Sequence, residues 1–210
     1  MTDLSHLRID FVSDVVCPWC AIGLASLQQA LAGADGVEAE LSVQPFELNP
    51  GLPRDSEAVQ IEPDPELIRR RAAAVGIAYN ARPGSRLRNT FDAHRLLHWA
   101  ALTHGRDDAV ALKQALFRAY FTDGANVADA DVLVGIASAA DLDAAAARRV
   151  LESGAYAEAT RARELHYRRA GIDSVPATIV NDAYLIAGGQ PPDVFQRALR
   201  DIAARAPSRD

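Results

Sequence analysis

The spacing of apolar residues at the start of the chain predicts a strand, a helix and a second strand. Residues 8–13 (RIDFVS) alternate apolar and polar side chains, the period of two that is typical of a strand. From Cys20 to Leu31 apolar side chains recur every three or four residues, which is one face of a helix, and Pro18 suits its first turn. Residues 41–46 (LSVQPF) predict the second strand. The opening unit is therefore βαβ.

The middle of the chain, residues 61–170, carries helical spacing throughout. The Asp-Pro pair at 64–65 is typical of a helix start, with an N-cap residue followed by proline in the first turn. Alanine is abundant in the whole block, as expected of closely packed helices. Further helices are predicted over residues 90–104, 107–121, 129–139, 143–151 and 155–170.

The strand pattern returns near the end of the chain. Residues 177–180 (ATIV) and 184–187 (YLIA) flank an Asn-Asp pair that favours a tight turn, so they predict a hairpin. A Gly-Gly pair then breaks the chain, and residues 193–206 predict a closing helix. The order of elements is βαβ, a helical block, then ββα, which predicts an α/β protein.

Composition and charge limit the possible functions. With 49% hydrophobic residues among 210, the chain can bury a sizeable core without cross-links. Its net charge of -6 argues against nucleic acid as a partner, because a polyanion would be repelled. Asp3, Arg8 and Asp10 interrupt the kind of apolar run that a signal peptide needs, and no stretch is long enough for a membrane helix. We therefore expect a cytoplasmic protein that contacts no membrane.

The only two cysteines, Cys17 and Cys20, are the candidates for chemistry. They form a CPWC motif where the first strand ends and the helix begins. Unpaired N–H groups and the helix dipole favour an anion at this position, so Cys17 is expected to be a reactive thiolate that attacks a disulfide. Cys20, one turn later, is placed to close onto the mixed disulfide and release the product. A purely structural disulfide is disfavoured in a reducing cytosol.

Two other interpretations of the cysteine pair are less well supported. A zinc site needs about four ligands, and the chain has no second CxxC or CxxH. The histidines are not spaced as a ligand set with the cysteines; they are His6, His94, His98, His104 and His166. We therefore predict no metal. Two inert buried thiols would fall at this spacing and at a helix start only by coincidence, so redox or thiol chemistry is favoured.

Five stretches together resemble the DsbA family of the thioredoxin superfamily, in particular its cytoplasmic FrnE-like branch. They are IDFVSDVVCPWCAIG at 9–23, FELNP at 46–50, NTFDAHRLLHWA at 89–100, GIDSVPATIVND at 171–182 and GGQPPDVF at 188–195. The likeness covers nearly the whole chain. It implies a thioredoxin fold whose βαβ and ββα halves are separated by an inserted helical domain. The thioredoxin-like domain then comprises residues 1–60 and 171–210, and the inserted domain comprises residues 61–170.

The same resemblance implies which residues form the site. On sequence alone, a trans proline at the strand entry would be favoured at Pro176. The resemblance instead implies that Val175 and Pro176 are the cis-proline pair facing the CxxC, with the Val175 backbone offered to a substrate or to glutathione. The remaining substrate-binding residues that we predict are Pro18 and Trp19 in the motif, and Phe46, Asn49, Asn89 and His94 toward the cleft between the domains. His94 also lies on an apolar helix face, so a hydrogen-bonded core histidine is the alternative.

Some positions depart from the family pattern. An aromatic residue after the second cysteine and basic residues a turn later would be expected, but Ala21, Leu24 and Ala25 stand there. The missing positive charge weakens the stabilisation of a thiolate at the helix start. The side chains of residues 177–180, after Pro176, are also smaller than the aromatic ones often found there in the family, so the surface that contacts a peptide is expected to differ.

The function predicted from these residues is thiol–disulfide oxidoreduction, with Cys17 as nucleophile and Cys20 as resolving thiol. The substrates would be protein or small-molecule thiols and disulfides. No bound cofactor is expected beyond the redox-active disulfide, with glutathione or another small thiol as co-substrate, in a monomer or homodimer. Two alternatives remain at this point. One is a glutathione-dependent isomerase or transferase of the same fold, similar to 2-hydroxychromene-2-carboxylate isomerase or kappa-class glutathione transferase; the other is a non-enzymatic redox-sensing protein.

Overall fold

Strand β1 (Ser5–Ser13) lies inside a four-stranded sheet in the computed structural model, which describes residues 5–56, 58–59, 61–62, 64–80 and 85–205. Helix α1 (Pro18–Ala32) follows, with Cys17 as its N-cap residue. Strand β2 (Val37–Pro45) then pairs parallel to β1 over its full length. The βαβ unit predicted from the periodicity is confirmed. Strand β2 begins four residues earlier than predicted, since the alternation of apolar and polar side chains already starts at Val37 and the pairing with β1 covers residues 37–45.

Six helices connect β2 to the next strand within the described residues. They are α2 (Pro65–Ala74), α3 (Phe91–Thr103), α4 (Arg106–Phe121), α5 (Ala130–Ala139), α6 (Ala144–Glu152) and α7 (Ala157–Arg169). The predicted start of α2 is confirmed, since the Asp64 side chain accepts a hydrogen bond from the Leu67 N–H at 2.9 Å. The other predicted helices are confirmed within one or two residues at each end.

The last three elements are β3 (Ala177–Val180), β4 (Tyr184–Ala187) and α8 (Pro192–Ala203). Both strands are confirmed as predicted, whereas the closing helix ends at Ala203, three residues before the predicted end at 206, which lies outside the described residues. The strand order is β2-β1-β3-β4, with β3 antiparallel to both of its neighbours. Strand β2 is therefore one edge of the sheet. This is the thioredoxin-like α/β fold expected from the sequence.

The two faces of β1 are covered by different helices. Its side chains at 7, 9 and 11 pack in one core cluster with Leu24 of α1 and Phe195 of α8. Val12 points to another cluster that contains Phe46 and Tyr167 of α7. The first cluster also takes in Phe117 of α4 together with both cysteines. The helical segment is thus packed directly against the thiol site.

In the described part of the chain, no helix is both long enough and apolar enough to span a bilayer.

Candidate active site

The two thiols lie at the junction between β1 and α1. Both are free and buried, with Cys17 at 4% exposure and Cys20 at 0%. Cys17 caps the helix, and its carbonyl accepts the N–H of Cys20 at 3.0 Å, so the backbone winds into α1 directly at the first thiol. Pro18 begins the helix, and the partly buried Trp19 packs against the same core cluster. Cys17 therefore lies nearer the surface and Cys20 beneath it.

The segment before β3 lies against the first thiol. The peptide bond between Val175 and Pro176 is cis. The Cys17 thiol donates to the Val175 carbonyl at a sulfur–oxygen distance of 3.7 Å. Val175 is partly exposed, whereas Pro176 is buried. The structure thus brings the two predicted cysteines near the start of the chain together with Val175 and Pro176 near its end.

Two glycines allow this segment to approach α1 closely. A Cβ added at Gly23 would lie 3.1 Å from Cγ of Pro176, and one added at Gly189 would lie 2.8 Å from the backbone oxygen of Trp19. The 2.8 Å distance at Gly189 is shorter than a real Cβ atom tolerates, and the atom that the Cβ would meet is a backbone oxygen, which cannot turn aside as a flexible side chain could. The backbone N–H of Gly188 also donates to the Pro176 carbonyl at 2.8 Å, so a hydrogen bond ties this loop to the proline segment.

We expect Gly189→Ala to lower the free energy of unfolding by about 1–3 kcal/mol, because the added methyl group must push the loop away from the Trp19 carbonyl. Urea denaturation followed by circular dichroism measures the change. Gly154→Ala is the matched control, since nothing lies within 4 Å of a Cβ added there. An unfolding midpoint for Gly189→Ala equal to that of the unaltered protein would contradict the close packing described here.

Lys113 of α4 is a buried cation beside the thiols. Its side chain is 0% exposed, donates to the Ser13 carbonyl at 3.2 Å and lies 5.0 Å from the centre of the Phe117 ring. Burial lowers the pKa of Lys113 to about 8, although Cys20, Asp14 and Cys17 all favour its charged form. Lys113 is therefore mostly protonated at neutral pH, and it places a positive charge where a thiolate would form.

The buried position of Cys20 opposes its ionisation. Burial raises the pKa of the Cys20 thiol well above its ordinary value, and the neighbouring Cys17 side chain adds to this. The Lys113 charge and the Asp14 backbone N–H act in the opposite direction. Cys20 is therefore a protonated thiol at rest, as a resolving thiol should be, and Lys113 assists the loss of its proton.

Asp14 and His94 form a second buried polar pair under the site. Asp14 accepts the Leu48 N–H at 2.7 Å through Oδ2, and its Oδ1 lies 3.4 Å from Nε2 of His94. Burial alone would raise the pKa of Asp14, but His94, Leu48 and Lys113 together bring it below its ordinary value. Burial lowers the pKa of His94 despite its contact with Asp14. The pair is therefore a carboxylate and a neutral imidazole, joined by a hydrogen bond rather than an ion pair.

The other predicted cleft residues lie in three different environments. Phe46 is buried in the core under the sheet, with the Arg168 guanidinium 4.1 Å from its ring centre. Asn49 is exposed, and its carbonyl accepts the Leu52 N–H at 3.0 Å. Asn89 donates to the Leu52 carbonyl at 2.7 Å and accepts the N–H at the start of α3. The two asparagines therefore meet at one turn, where both bond to the Leu52 backbone.

A cluster of carboxylates and arginines fixes the FELNP segment. Buried Glu47 receives a hydrogen bond from Arg161 of α7, and the same guanidinium reaches Glu164 at 2.9 Å. Burial, with Glu164 second, raises the pKa of Glu47 to about 7, and Arg161 partly offsets the rise. Arg161 also lies 3.8 Å from the centre of the Phe91 ring. Helix α7 thus holds the chain that carries Leu48 to Asp14.

Sequence reasoning missed Lys113 and Glu47. A signal for Lys113 was present, because it is the only lysine in the chain while every other basic residue is arginine. It also stands four residues from Ala109 and from Phe117, in the middle of a buried helix face. Glu47 carried a weaker signal, a carboxylate directly after a strand and beside a large apolar residue.

Among the described residues, no group of three or more histidine, cysteine or acidic side chains is arranged to hold a metal ion. The chemistry present is that of two adjacent thiols at a helix start, a buried cation and a buried carboxylate. Such a set supports exchange between thiols and disulfides, because the thiol at the helix start lies nearer the surface than the second thiol, and the Lys113 charge opposes the burial that raises the pKa of that second thiol.

A four-stranded thioredoxin-like sheet with paired thiols where β1 meets α1 defines the class of this protein. Comparison of its sequence with known families gives a match to the DsbA-like thioredoxin domain over residues 8–200. The chain therefore belongs to the DsbA-like thioredoxin domain family. The predicted family and fold are confirmed, and the family supports thiol–disulfide oxidoreductase chemistry by redox-active cysteines in general.

Individual relatives agree with this assignment. The chain is 30% identical over 206 residues to protein YwbO of Bacillus subtilis, covering 93% of this chain and 96% of YwbO. It is 34% identical to a probable DsbA oxidoreductase from Streptomyces coelicolor, with a TM-score of 0.85 and coverage of 98% and 93%. The cytosolic disulfide reductase DsbM from Pseudomonas aeruginosa, solved with GSH, shares the fold at 18% identity and a TM-score of 0.67, with coverage of 95% and 100%.

Proposed function

We propose that this protein is a thiol–disulfide oxidoreductase in which Cys17 is the nucleophile and Cys20 the resolving thiol. The observation that carries the proposal is the difference in burial between the two thiols. Cys17 lies nearer the surface against the Val175 carbonyl, and Cys20 is fully buried one turn further into α1. A substrate can reach the first sulfur, and only an internal reaction reaches the second.

The reaction consists of two exchanges. The Cys17 thiolate attacks one sulfur of a substrate disulfide, so that a mixed disulfide forms and the other substrate sulfur leaves as a thiolate. Cys20 then loses its proton and attacks the Cys17 sulfur, which forms the internal disulfide and releases the second substrate thiolate. The substrate has gained two electrons and the protein has lost them; the reverse sequence oxidises a dithiol. Lys113 favours the thiolate in both directions because it places a buried positive charge beside the sulfurs.

Substrate contacts are proposed for the residues around Cys17. Trp19 and Val175 are partly exposed, and Pro18 and Pro176 are buried. We also propose that Asn49 and Asn89 contribute to substrate binding from a loop at the cleft. Phe46 and His94 are proposed to contribute from the protein interior, where both are buried. Glutathione is the proposed co-substrate. We further propose that the protein acts in the cytoplasm and belongs to the FrnE-like branch of the family. The shared fold with DsbM, a cytosolic reductase solved with GSH, supports this choice.

We propose that the chain forms two domains, which contribute different residues to the site. Residues 1–60 and 171–210 supply the thioredoxin-like domain with its thiols and proline segment. Residues 61–170 are the inserted helical domain, and they supply Lys113 and His94 from α4 and α3. The support is the chain order, since α2 to α7 all lie between β2 and β3.

An equilibrium titration against glutathione redox buffers tests the proposal. We expect a single two-electron transition, with a midpoint between about -270 and -120 mV, the range of thioredoxin-like folds. Alkylation of free thiols followed by intact-mass measurement counts the oxidised cysteines. A protein that gains one glutathione but never forms the internal disulfide would instead be a glutathione-dependent isomerase or transferase. A disulfide that forms but exchanges slowly with every thiol would indicate a redox sensor.

A further inference from the structure

The loop at residues 188–190 borders the surface around Cys17. A Cβ added at Gly189 would lie 2.8 Å from the backbone oxygen of Trp19, inside the CPWC motif. Trp19 and all the residues of this loop are partly exposed. Because Trp19 and Cys17 both belong to the start of α1, a substrate joined to Cys17 lies close to the loop.

Helix α2 brings a guanidinium group to this loop. Arg71 is partly exposed, and its Nη2 donates to the Gly189 carbonyl at 2.9 Å. A guanidinium has five N–H donors, so most of them remain available. Among the described residues, Arg71 has no other hydrogen-bond partner, and no carboxylate oxygen lies within ion-pair distance of it. Arg71 therefore places an unpaired positive charge beside the CPWC motif.

A purely structural role for Arg71 is the alternative. A cation in the last turn of a helix interacts favourably with the helix dipole, and the hydrogen bond to Gly189 ties α2 to the loop. Neither effect uses the N–H donors that remain. The two roles also differ in their consequences, because a structural contact affects every substrate alike, whereas an exposed charge distinguishes substrates by their own charge.

The net charge of the protein sets what a substrate would meet without this cation. At -6, the protein repels anionic molecules at long range. A guanidinium at the site reverses this locally, because its planar N–H donors pair with the two oxygens of a carboxylate. The surface around Cys17 therefore favours a disulfide that carries a carboxylate near its sulfur atoms.

We propose that Arg71 is a specificity-determining residue that binds a carboxylate of the disulfide substrate. The substrate class is small disulfides with carboxylate groups, and oxidised glutathione is one of them. This inference rests on the proposed thiol–disulfide exchange and adds no step to it. Cys17 attacks and Cys20 resolves the mixed disulfide, while Arg71 holds and orients the substrate without forming a covalent bond.

Three small disulfides of similar length and different charge test the proposal. They are 3,3′-dithiodipropionate with two carboxylates, the neutral 2-hydroxyethyl disulfide, and cystamine with two ammonium groups. Alkylation of the remaining thiols followed by intact-mass measurement gives the rate at which each disulfide oxidises the reduced protein. Since each disulfide has its own intrinsic reactivity, the quantity compared is the rate of a variant divided by that of the unaltered protein with the same disulfide.

Arg71→Gln removes the charge and keeps an N–H donor for the Gly189 carbonyl. We expect it to slow oxidation by 3,3′-dithiodipropionate about tenfold and to leave the rates with the other two disulfides nearly unchanged. Arg71→Lys keeps the charge and should retain most of the rate with the anionic disulfide. Arg70→Gln, at an exposed neighbour on the same helix, makes the same change in net charge and should alter none of the three rates.

The outcomes separate this inference from the proposed function. If Arg71→Gln slows all three disulfides equally, or if Arg70→Gln gives the same selective loss, the inference is overturned while the proposed function stands. If no disulfide oxidises the unaltered protein, both are overturned.

A salt series on the unaltered protein decides the question if Arg71→Gln does not fold. The rate with 3,3′-dithiodipropionate, relative to that with 2-hydroxyethyl disulfide, should fall as salt is added, because salt screens the attraction to Arg71. A rise in this ratio would show that repulsion by the net negative charge dominates, and it would overturn the inference.

Discussion

Cys20→Ser is expected to leave the protein covalently joined to its substrate, and Cys17→Ser is expected to reduce disulfide exchange to the uncatalysed rate. The reason is the burial of the second thiol. Cys20 has no exposed surface, so no substrate reaches it directly, and Cys17 is the only other cysteine in the chain. Without Cys20 nothing inside the protein can resolve the mixed disulfide. Without Cys17 no sulfur remains within reach of a substrate.

Intact-mass spectrometry after acid quenching distinguishes the two variants. With oxidised glutathione, Cys20→Ser should gain the mass of one glutathione and retain it until an external thiol is added. Cys17→Ser should gain none over the same time, and the double serine variant is the control for labelling elsewhere. Full exchange activity in Cys17→Ser would show that the nucleophile is assigned wrongly. Rapid turnover of glutathione by Cys20→Ser would favour a mechanism with one thiol.

Most of the fold could be predicted from the sequence because its elements carry strong local signals. The cysteine helix shows one apolar face and a proline at its start, and α2 has an aspartate cap followed by proline. The start of β2 was missed although the local signal was present, since Val37, Ala39 and Leu41 already alternate with polar residues and pair with β1. Register and strand order come from packing across the whole chain, and a single periodicity contains no information about them.

The candidate site was only partly predictable, and the reason is physical. The thiols and the proline segment each have a local motif, so both were found. Lys113 acts through its position in space, on a helix nearly a hundred residues from the thiols in sequence, and only the packing of α4 against α1 brings it to Cys20. Its identity as the sole lysine was a usable signal. The pairing of Asp14 with His94 likewise depends on how α3 packs against the segment before α1, where Val15 and Val16 share a core cluster with Leu96.

Lys113→Met is expected to make the protein more stable and its disulfide exchange slower. The change from the ordinary lysine value of 10.5 to about 8 corresponds to about 3 kcal/mol of destabilisation by the buried charge. Methionine removes this penalty and fills the same volume. The Cys20 thiolate loses the Lys113 charge that favours it, and each unit by which the pKa of Cys20 rises reduces the population of this resolving thiolate about tenfold. Urea denaturation at pH 7 and the rate of reaction with oxidised glutathione measure the two effects.

The pH dependence of the stability difference between Lys113→Met and the unaltered protein tests whether the buried charge of Lys113 is its cause. Because the folded-state pKa of Lys113 lies below the unfolded one, the penalty is fully present below pH 8 and disappears as the pH rises from about 8 to 10.5. The stability gap between Lys113→Met and the unaltered protein should therefore narrow over this window. Arg118→Met, an exposed cation on the same helix, is the control and should change neither stability nor rate. Since Lys113 is the only lysine, lysine-selective isotope labelling also gives its titration directly by NMR, and a midpoint above 10 would contradict the buried-charge account.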